Sequence, residues 1–262
     1  MRIDVLFAPQ GLELQKPKGL TVAVVDVLRA STSIAFAYAG GAARIIPVVS
    51  IEAATSLAMK LGEEGVLLCG EREGKRIDGF DLGNSPQEYT EDRVAGKTLL
   101  LTTTNGTKAI TLCEAAKEVV VAGLVNVSAV VEHLLRAEEG LGLVCAGKFG
   151  RFSMEDAVCA GMIVARLKDH LGNDLELSDS AGAAEIIYRS NPLDTATLLQ
   201  NCEHGKYLGS LGFNEDLLVC AAVDALSVVP IVQQGRIRRN ETALPEENGL
   251  PGVSNSLPKS GR

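Results

Sequence analysis

The chain has no tryptophan, and aromatic residues fill only 4% of its 262 positions. Alanine, valine, leucine and glycine dominate instead, as expected for helices packed closely on a sheet. Positive charge is not in excess: 25 Lys and Arg against 33 Asp and Glu leave a net charge of −8. Phosphate backbones attract basic surfaces, so nucleic acid is not the expected partner. A small anion can still be held by a few local cations and backbone N–H groups. No run of about 18 apolar residues exists, so no membrane helix is expected. The opening MRIDVLFAPQ has one Arg beside an Asp and no small-residue cleavage site, and does not read as a signal peptide. The cysteines (Cys69, Cys113, Cys145, Cys159, Cys202 and Cys220) form no C-x-x-C pair. They read as reduced thiols of a cytoplasmic protein, not as a disulfide framework or a structural zinc site. Also missing are G-x-x-x-x-G-K-[ST], G-x-G-x-x-G after a strand, G-x-S-x-G and H-E-x-x-H, so four common nucleotide and hydrolase sites are unsupported.

What is present alternates. Leu20–Val25 is a β-branched run, followed by a helical pattern that stops at Gly40-Gly41. Ala43–Val49, Gly65–Cys69, Thr98–Thr102, Glu118–Ala122 and Leu141–Cys145 read as strands, with helical segments between them. Glu155–His170 reads as a long helix. Two more lie between Asp179 and Asn201, broken at Asn191-Pro192, and another covers Glu215–Ala225. A last strand is expected at Val228–Val232. This order predicts a three-layer α/β/α fold on a largely parallel or mixed sheet, with residues 1–239 as one domain. Residues 240–262 are polar and rich in Pro, Gly, Ser and Asn, and read as a weakly ordered tail. Gly70–Asn84 reads as a long polar loop, and Ser85-Pro86-Gln87-Glu88 as a capping box that opens a helix.

Several strands end in loops of one composition: small hydroxyls, glycines, a cation and isolated carboxylates. Ligands of open α/β sheets bind outside the carboxyl ends of strands, so these loops are expected to meet if their strands are parallel. Asp26 could bind Mg²⁺ or act as a base. Arg29 could grip an anion, and Ser31 and Thr32 open a helix whose free N–H groups favour one. The plainer alternative makes Ser31 or Thr32 an ordinary N-cap. Asn105, Gly106 and Thr107, from T-T-T-N-G-T, could form an anion nest or a simple strand-to-helix turn. Lys148 and Arg151 could meet an anion. Ser153-x-x-Asp156 fits a capping box, leaving Asp156 either a helix-start residue or a catalytic carboxylate. His204-Gly205-Lys206 is most simply a surface turn. Cys145-x5-Arg151 has the spacing of cysteine-dependent phosphatases, but Val144 replaces the His usual before the nucleophile.

Taken together, V-V-D-V-L-R-A-S-T-S, G-E-R-x-G-x-x-I-D-G-F-D-L-G-N-S-P, T-T-T-N-G-T, G-x-F-G-R-F-S-M-E-D-A-V-C-A-G and H-G-K-x-L occur in that order. The chain thereby resembles the 2-phosphosulfolactate phosphatase family from about Asp4 to Val232. The resemblance implies a Mg²⁺-dependent acid phosphatase. It would convert 2-phospho-3-sulfolactate and water into 3-sulfolactate and phosphate, a step towards coenzyme M. Asp26, Glu71 and Asp81 are then candidate metal ligands. Arg29, Ser31, Thr32, Asn105, Gly106 and Thr107 are assigned to phosphate, and Lys148, Arg151 and His204 to sulfonate or carboxylate. The expected chemistry is in-line attack by metal-activated water, with Asp26 as ligand or base. Direct attack by Asp26 is the alternative, although Leu28 stands where D-x-D-x-T needs its second Asp. A non-catalytic binding domain for small organic anions is the other class. Apolar, glycine-rich helices suit a homo-oligomer such as a dimer.

Overall fold

The computed structural model describes residues 1–11, 17–62 and 64–239. The tail expected at 240–262 lies outside the described residues. The strands are β1 (Arg2–Leu6), β2 (Thr21–Val25), β3 (Arg44–Pro47), β4 (Val66–Arg72), β5 (Lys75–Arg76), β6 (Thr98–Thr102), β7 (Glu118–Ala122), β8 (Leu141–Cys145), β9 (Glu176–Leu177), β10 (Pro230–Gln233) and β11 (Arg236–Arg239). They form one sheet in the order β5-β4-β6-β3-β11-β10-β7-β2-β8-β1-β9. It holds two parallel blocks. One is β4-β6-β3, with β5 antiparallel at its edge. The other is β7-β2-β8-β1-β9. The hairpin β10–β11 joins them and pairs antiparallel with β7 on one side and β3 on the other.

The central strands are apolar on both faces, which is why they read as continuous hydrophobic runs. Along β2, Ala23 and Val25 face one core while Val22 and Val24 face another. The first core takes Val158 and Ile163 from the helix Met154–Leu171 and Val130 from the helix Val127–Leu134. The second takes Ile34 and Tyr38 from the helix Ala30–Ala39 and Ile110 from the helix Gly106–Leu112. Each fully buried aliphatic side chain contributes about 1.5–3 kcal/mol relative to exposure. A helix–sheet–helix sandwich is the arrangement that buries both faces.

Because the hairpin is antiparallel to both its neighbours, the two blocks run in opposite senses along the ladder. In a flat sheet the carboxyl ends of β2 and β8 would lie opposite those of β4 and β6. They meet instead. Asn105, after β6, accepts through Oδ1 a 3.1 Å hydrogen bond from the Phe149 N–H, after β8. Strand twist of roughly 20–25° per neighbour accumulates between β2 and β6 and turns one block towards the other. The second core shows the result: Val22 and Val24 of one block and Leu99 and Leu101 of the other share it.

Some local expectations need correction. Gly70–Asn84 is not structureless, since β4 runs on to Arg72 and turns back as β5. Ser85 does not cap a helix: Pro86–Glu88 is a single 3₁₀ turn, and the Ser85 hydroxyl instead donates to Asp216 Oδ1 at 2.6 Å. His204 lies in a helix, Glu203–Ser210, not in a surface turn. Among the described residues no helix is long and apolar enough to cross a membrane.

Candidate active site

The turn after β2 is locked by its own side chains. The Asp26 N–H donates to Ser31 Oγ at 3.0 Å, and the Ser31 N–H returns to the Asp26 carbonyl at 2.9 Å. Thr32 Oγ1 donates to the Val27 carbonyl at 3.0 Å. Ser31 and Thr32 are therefore used inside the turn, and neither lines the cavity beside it. Their effect is to hold the Asp26 carboxylate at the mouth of β2. There Oδ1 accepts the Ala30 N–H at 3.2 Å, and no hydrogen bond from a described residue reaches Oδ2. Gly106 is the reason the β6 turn can come so close. A Cβ on it would stand 2.6 Å from Asp26 Oδ2 and 2.5 Å from Ala30 Cβ. Thr107 is fully buried and exchanges hydrogen bonds with Thr103, so it too is a strut of the turn.

Glu71, at the end of β4, lines the same cavity as Asp26. Its Oε1 accepts the Thr104 N–H and its Oε2 the Gly74 N–H, both at 2.8 Å. The polar lining also includes Glu73, a third carboxylate, with Asn84, Thr103, Thr104, Asn105, Lys148, His204 and Tyr207. Two buried oxygens there, Asn84 Oδ1 and Thr104 Oγ1, have no hydrogen-bond partner among the described residues. Unpaired buried polar atoms are costly, and such atoms in a cavity wall suit a ligand. Lys148 Nζ sits 3.1 Å from Glu203 Oε1 and 5.1 Å above the Tyr207 ring.

Arg29 lines the cavity but is already committed. Its Nη1 is 2.7 Å from Asp216 Oδ2, its Nη2 donates to the Gly74 carbonyl at 2.6 Å, and its guanidinium lies 4.2 Å over Phe213. It clamps the β2 turn to the β4–β5 turn and to the helix Asn214–Ala221. Asp156 likewise bridges loops. Its Oδ1 accepts the Val27 N–H at 2.9 Å, and its Oδ2 accepts from the Gly147 N–H at 3.0 Å and the Ser153 hydroxyl at 2.7 Å. Ser153 is thus a donor to Asp156, not a cap for the helix. Asp81 is not brought to this place: it is exposed, its carboxylate accepts the Leu68 N–H at 2.8 Å, and it does not line the cavity. Arg151 is exposed and faces a neighbouring cleft, about 890 Å³ in volume, that shares Lys148, Phe149 and His204 with the cavity.

The electrostatics are those of crowded carboxylates. Burial pushes the Asp26 carboxyl well above its usual range, and Asp156, Glu71 and Glu155 nearby push it further, against the Ala30 N–H. Burial, with Glu155 beside it, raises Asp156 to about 7, although three hydrogen bonds oppose this. A cation placed between Asp26 and Glu71 would relieve the repulsion. No group of three or more His, Cys, Asp or Glu side chains that could hold a metal occurs among the described residues. Two carboxylates with neutral oxygens from Asn84 and Thr104 is nonetheless a donor set that suits Mg²⁺, which prefers oxygen and keeps several waters. The thiolate alternative fares poorly: Cys145 is fully buried, and burial drives its thiol far above the usual range.

Sequence reasoning did not single out Asn84, Thr104, Asp216 or Tyr207. Asn84 stood in the quoted G-N-S-P motif and Thr104 in T-T-T-N-G-T, so motif membership was the available signal. Asp216 and Tyr207 carried none. A family model described as 2-phosphosulpholactate phosphatase matches residues 6–235. A probable 2-phosphosulfolactate phosphatase of Clostridium acetobutylicum is 37% identical over 237 residues, covering 90% of this chain and 100% of its own. Relatives of the same name from Thermotoga petrophila and Carboxydothermus hydrogenoformans are each 42% identical, covering 89% and 90% of this chain and 96% of their own. The chain belongs to the 2-phosphosulfolactate phosphatase family, enzymes that hydrolyse phosphoric monoesters.

Proposed function

We propose that this chain hydrolyses 2-phospho-3-sulfolactate to 3-sulfolactate and phosphate with the help of Mg²⁺, in a sulfonate pathway of the coenzyme M type. The observation that carries the reading is that Asp26, Glu71 and Lys148 line one cavity with Asn84 Oδ1 and Thr104 Oγ1, which have no hydrogen-bond partner among the described residues. A pure anion-binding domain has little use for two carboxylates beside its ligand, because like charges repel. Asp26 and Glu71 would hold the cation, with Asn84 and Thr104 as neutral donors. The cation would neutralise phosphate charge and favour attack by water at phosphorus. Glu71 also fixes the Thr104 and Gly74 N–H groups, so the β6 and β4–β5 turns are set before substrate arrives. Lys148 and Asn105, which line the same cavity, would meet the anionic ends of the substrate. Arg29 acts by holding the β2 turn.

Phosphate release from 2-phosphosulfolactate and 2-phospholactate, with Mg²⁺ or with EDTA, tests the reading on wild type, Asp26→Asn and Cys145→Ala. Turnover that needs Mg²⁺, falls by at least about 100-fold in Asp26→Asn and survives in Cys145→Ala is expected. Turnover indifferent to EDTA and lost in Cys145→Ala would overturn it.

A further inference from the structure

One buried carboxylate has no part in the scheme above. Glu155 is 2% exposed in the first turn of the helix Met154–Leu171, and its one ion-pair partner among the described residues is His204. Glu155 Oε1 and His204 Nδ1 are 3.1 Å apart. His204 comes from the separate helix Glu203–Ser210 and lines the cavity that holds Asp26, Glu71 and Lys148. Gly205 lets that helix seat deeply, since a Cβ there would stand 1.6 Å from the Leu199 carbonyl oxygen. With Nδ1 engaged by a carboxylate from below, Nε2 is the ring atom left to deal with a ligand. No described residue hydrogen-bonds to it. A carboxylate behind an imidazole fixes the ring's orientation and leaves the other nitrogen to face the ligand.

We propose that His204 is the general acid of the reaction and that Glu155 is the residue that positions it. This rests on the phosphatase reading. The chemistry gives the reason for such a group. The leaving group is the alkoxide of a 2-hydroxy acid, which is strongly basic and already sits beside a carboxylate. As the bond between phosphorus and the ester oxygen breaks, its electron pair goes to that oxygen, and the Nε2 proton of the imidazolium is transferred to it. The oxygen of water bonds to phosphorus and one of its protons passes to a phosphoryl oxygen, giving dihydrogen phosphate. The neutral imidazole then recovers a proton from that phosphate or from solvent.

A general acid matters in proportion to how badly the leaving group needs a proton. The test therefore compares 2-phospholactate with its trifluoromethyl analogue, of similar shape but with a far less basic departing alkoxide. Wild type, His204→Gln and Glu155→Gln are assayed on both in Mg²⁺. For His204→Gln, kcat on 2-phospholactate should fall about 10²–10⁴-fold, while kcat on the fluorinated ester falls less than about tenfold. The retained fluorinated activity also shows that the variant is folded. Glu155→Gln keeps the side-chain shape and removes the charge, and should show the same bias to a smaller degree, in kcat more than in KM. Equal losses on both esters would overturn the assignment and leave His204 as a binding or structural residue. If His204→Gln does not fold, the Glu155→Gln ratio decides in the same way. A wild-type enzyme that releases phosphate from neither ester, nor from 2-phosphosulfolactate, sinks the phosphatase reading itself, and this proposal with it.

Discussion

Removing the Asp216 carboxylate should destabilise the protein strongly, and removing its partner as well should give some of that stability back. The Arg29 and Asp216 side chains are each 2% exposed and 2.7 Å apart. Asp216 Oδ1 also accepts from Ser85 Oγ at 2.6 Å and Gln87 Nε2 at 2.8 Å. In Asp216→Ala the guanidinium keeps the Gly74 carbonyl and the Phe213 ring but loses its counter-charge while almost fully buried. Stranding one member of a buried pair costs about 3–5 kcal/mol. At roughly 2–4 °C per kcal/mol for a domain near this size, Tm should fall by about 6–20 °C. Replacing both members with apolar residues of similar volume removes the stranded charge, so Arg29→Met with Asp216→Leu should be more stable than Asp216→Ala alone. Urea unfolding followed by far-UV circular dichroism measures both. A single variant within about 1 kcal/mol of wild type, or a double variant less stable than the single, would show that the pair is not desolvated as described.

Other consequences can be checked alongside. Gly106→Ala forces a methyl against Asp26 Oδ2 and Ala30 Cβ; a loss of about 1–3 kcal/mol with a larger loss of turnover is expected, and unchanged melting would refute the close approach. The crowded carboxylates give stability a pH slope. Asp156 holds its proton up to about 7 when folded but releases it near 4 when unfolded, so the unfolded chain binds fewer protons between these values. Stability without metal should therefore fall as pH rises from about 4 to 7, and Asp26, shifted the same way, should steepen the fall. Millimolar Mg²⁺ should restore the urea midpoint at pH 7.5 in wild type but not in Asp26→Asn, an effect read without any activity assay. Cys145 should resist iodoacetamide in the native state at pH 8, and fast labelling would contradict its burial.

The strands that were easiest to read are those buried on both faces. Thr98–Thr102, Glu118–Ala122 and Leu141–Cys145 were expected over the spans they occupy, because no polar residue interrupts their apolar runs. β11 was not legible. In Arg-Ile-Arg-Arg only Ile237 is buried, and the segment is a strand because β3 and β10 flank it. The helix Glu203–Ser210 was hidden for another reason. Its first turn is capped by Cys202 Sγ, which accepts the Gly205 N–H at 3.3 Å, and cysteine is not a residue that announces a cap. At the site, the residues in the loops after β2, β4 and β6 drew attention through their type, but type does not distinguish a strut from a ligand. Ser31, Thr32 and Thr107 look as suited to an anion as Thr104 does. Only the three-dimensional accounting of donors shows that the first three are spent inside their turns. Asp81 fails for a similar reason, since its place beside Leu68 depends on the β4–β5 turn and not on spacing. Asp216 lies 187 residues from Arg29, and in the sequence it is simply one more acid at a helix start.

The hairpin of β10 and β11 has a bearing on how the molecule comes into being. It closes the gap between two blocks of sheet whose own strands lie far earlier in the chain, and among the described residues the ladder carries no other link between β3 and β7. On the ribosome, both blocks emerge with an open inner edge apiece, at β3 and at β7, and those edges wait for residues 230–239. Until then each edge can recruit a strand from another nascent chain. Long-range pairing of this kind is slow to form. A stop or frameshift shortly before Pro230 would thus leave the catalytic loops intact in sequence and yield insoluble protein, whereas the same lesion after Arg239 would spare every strand among the described residues.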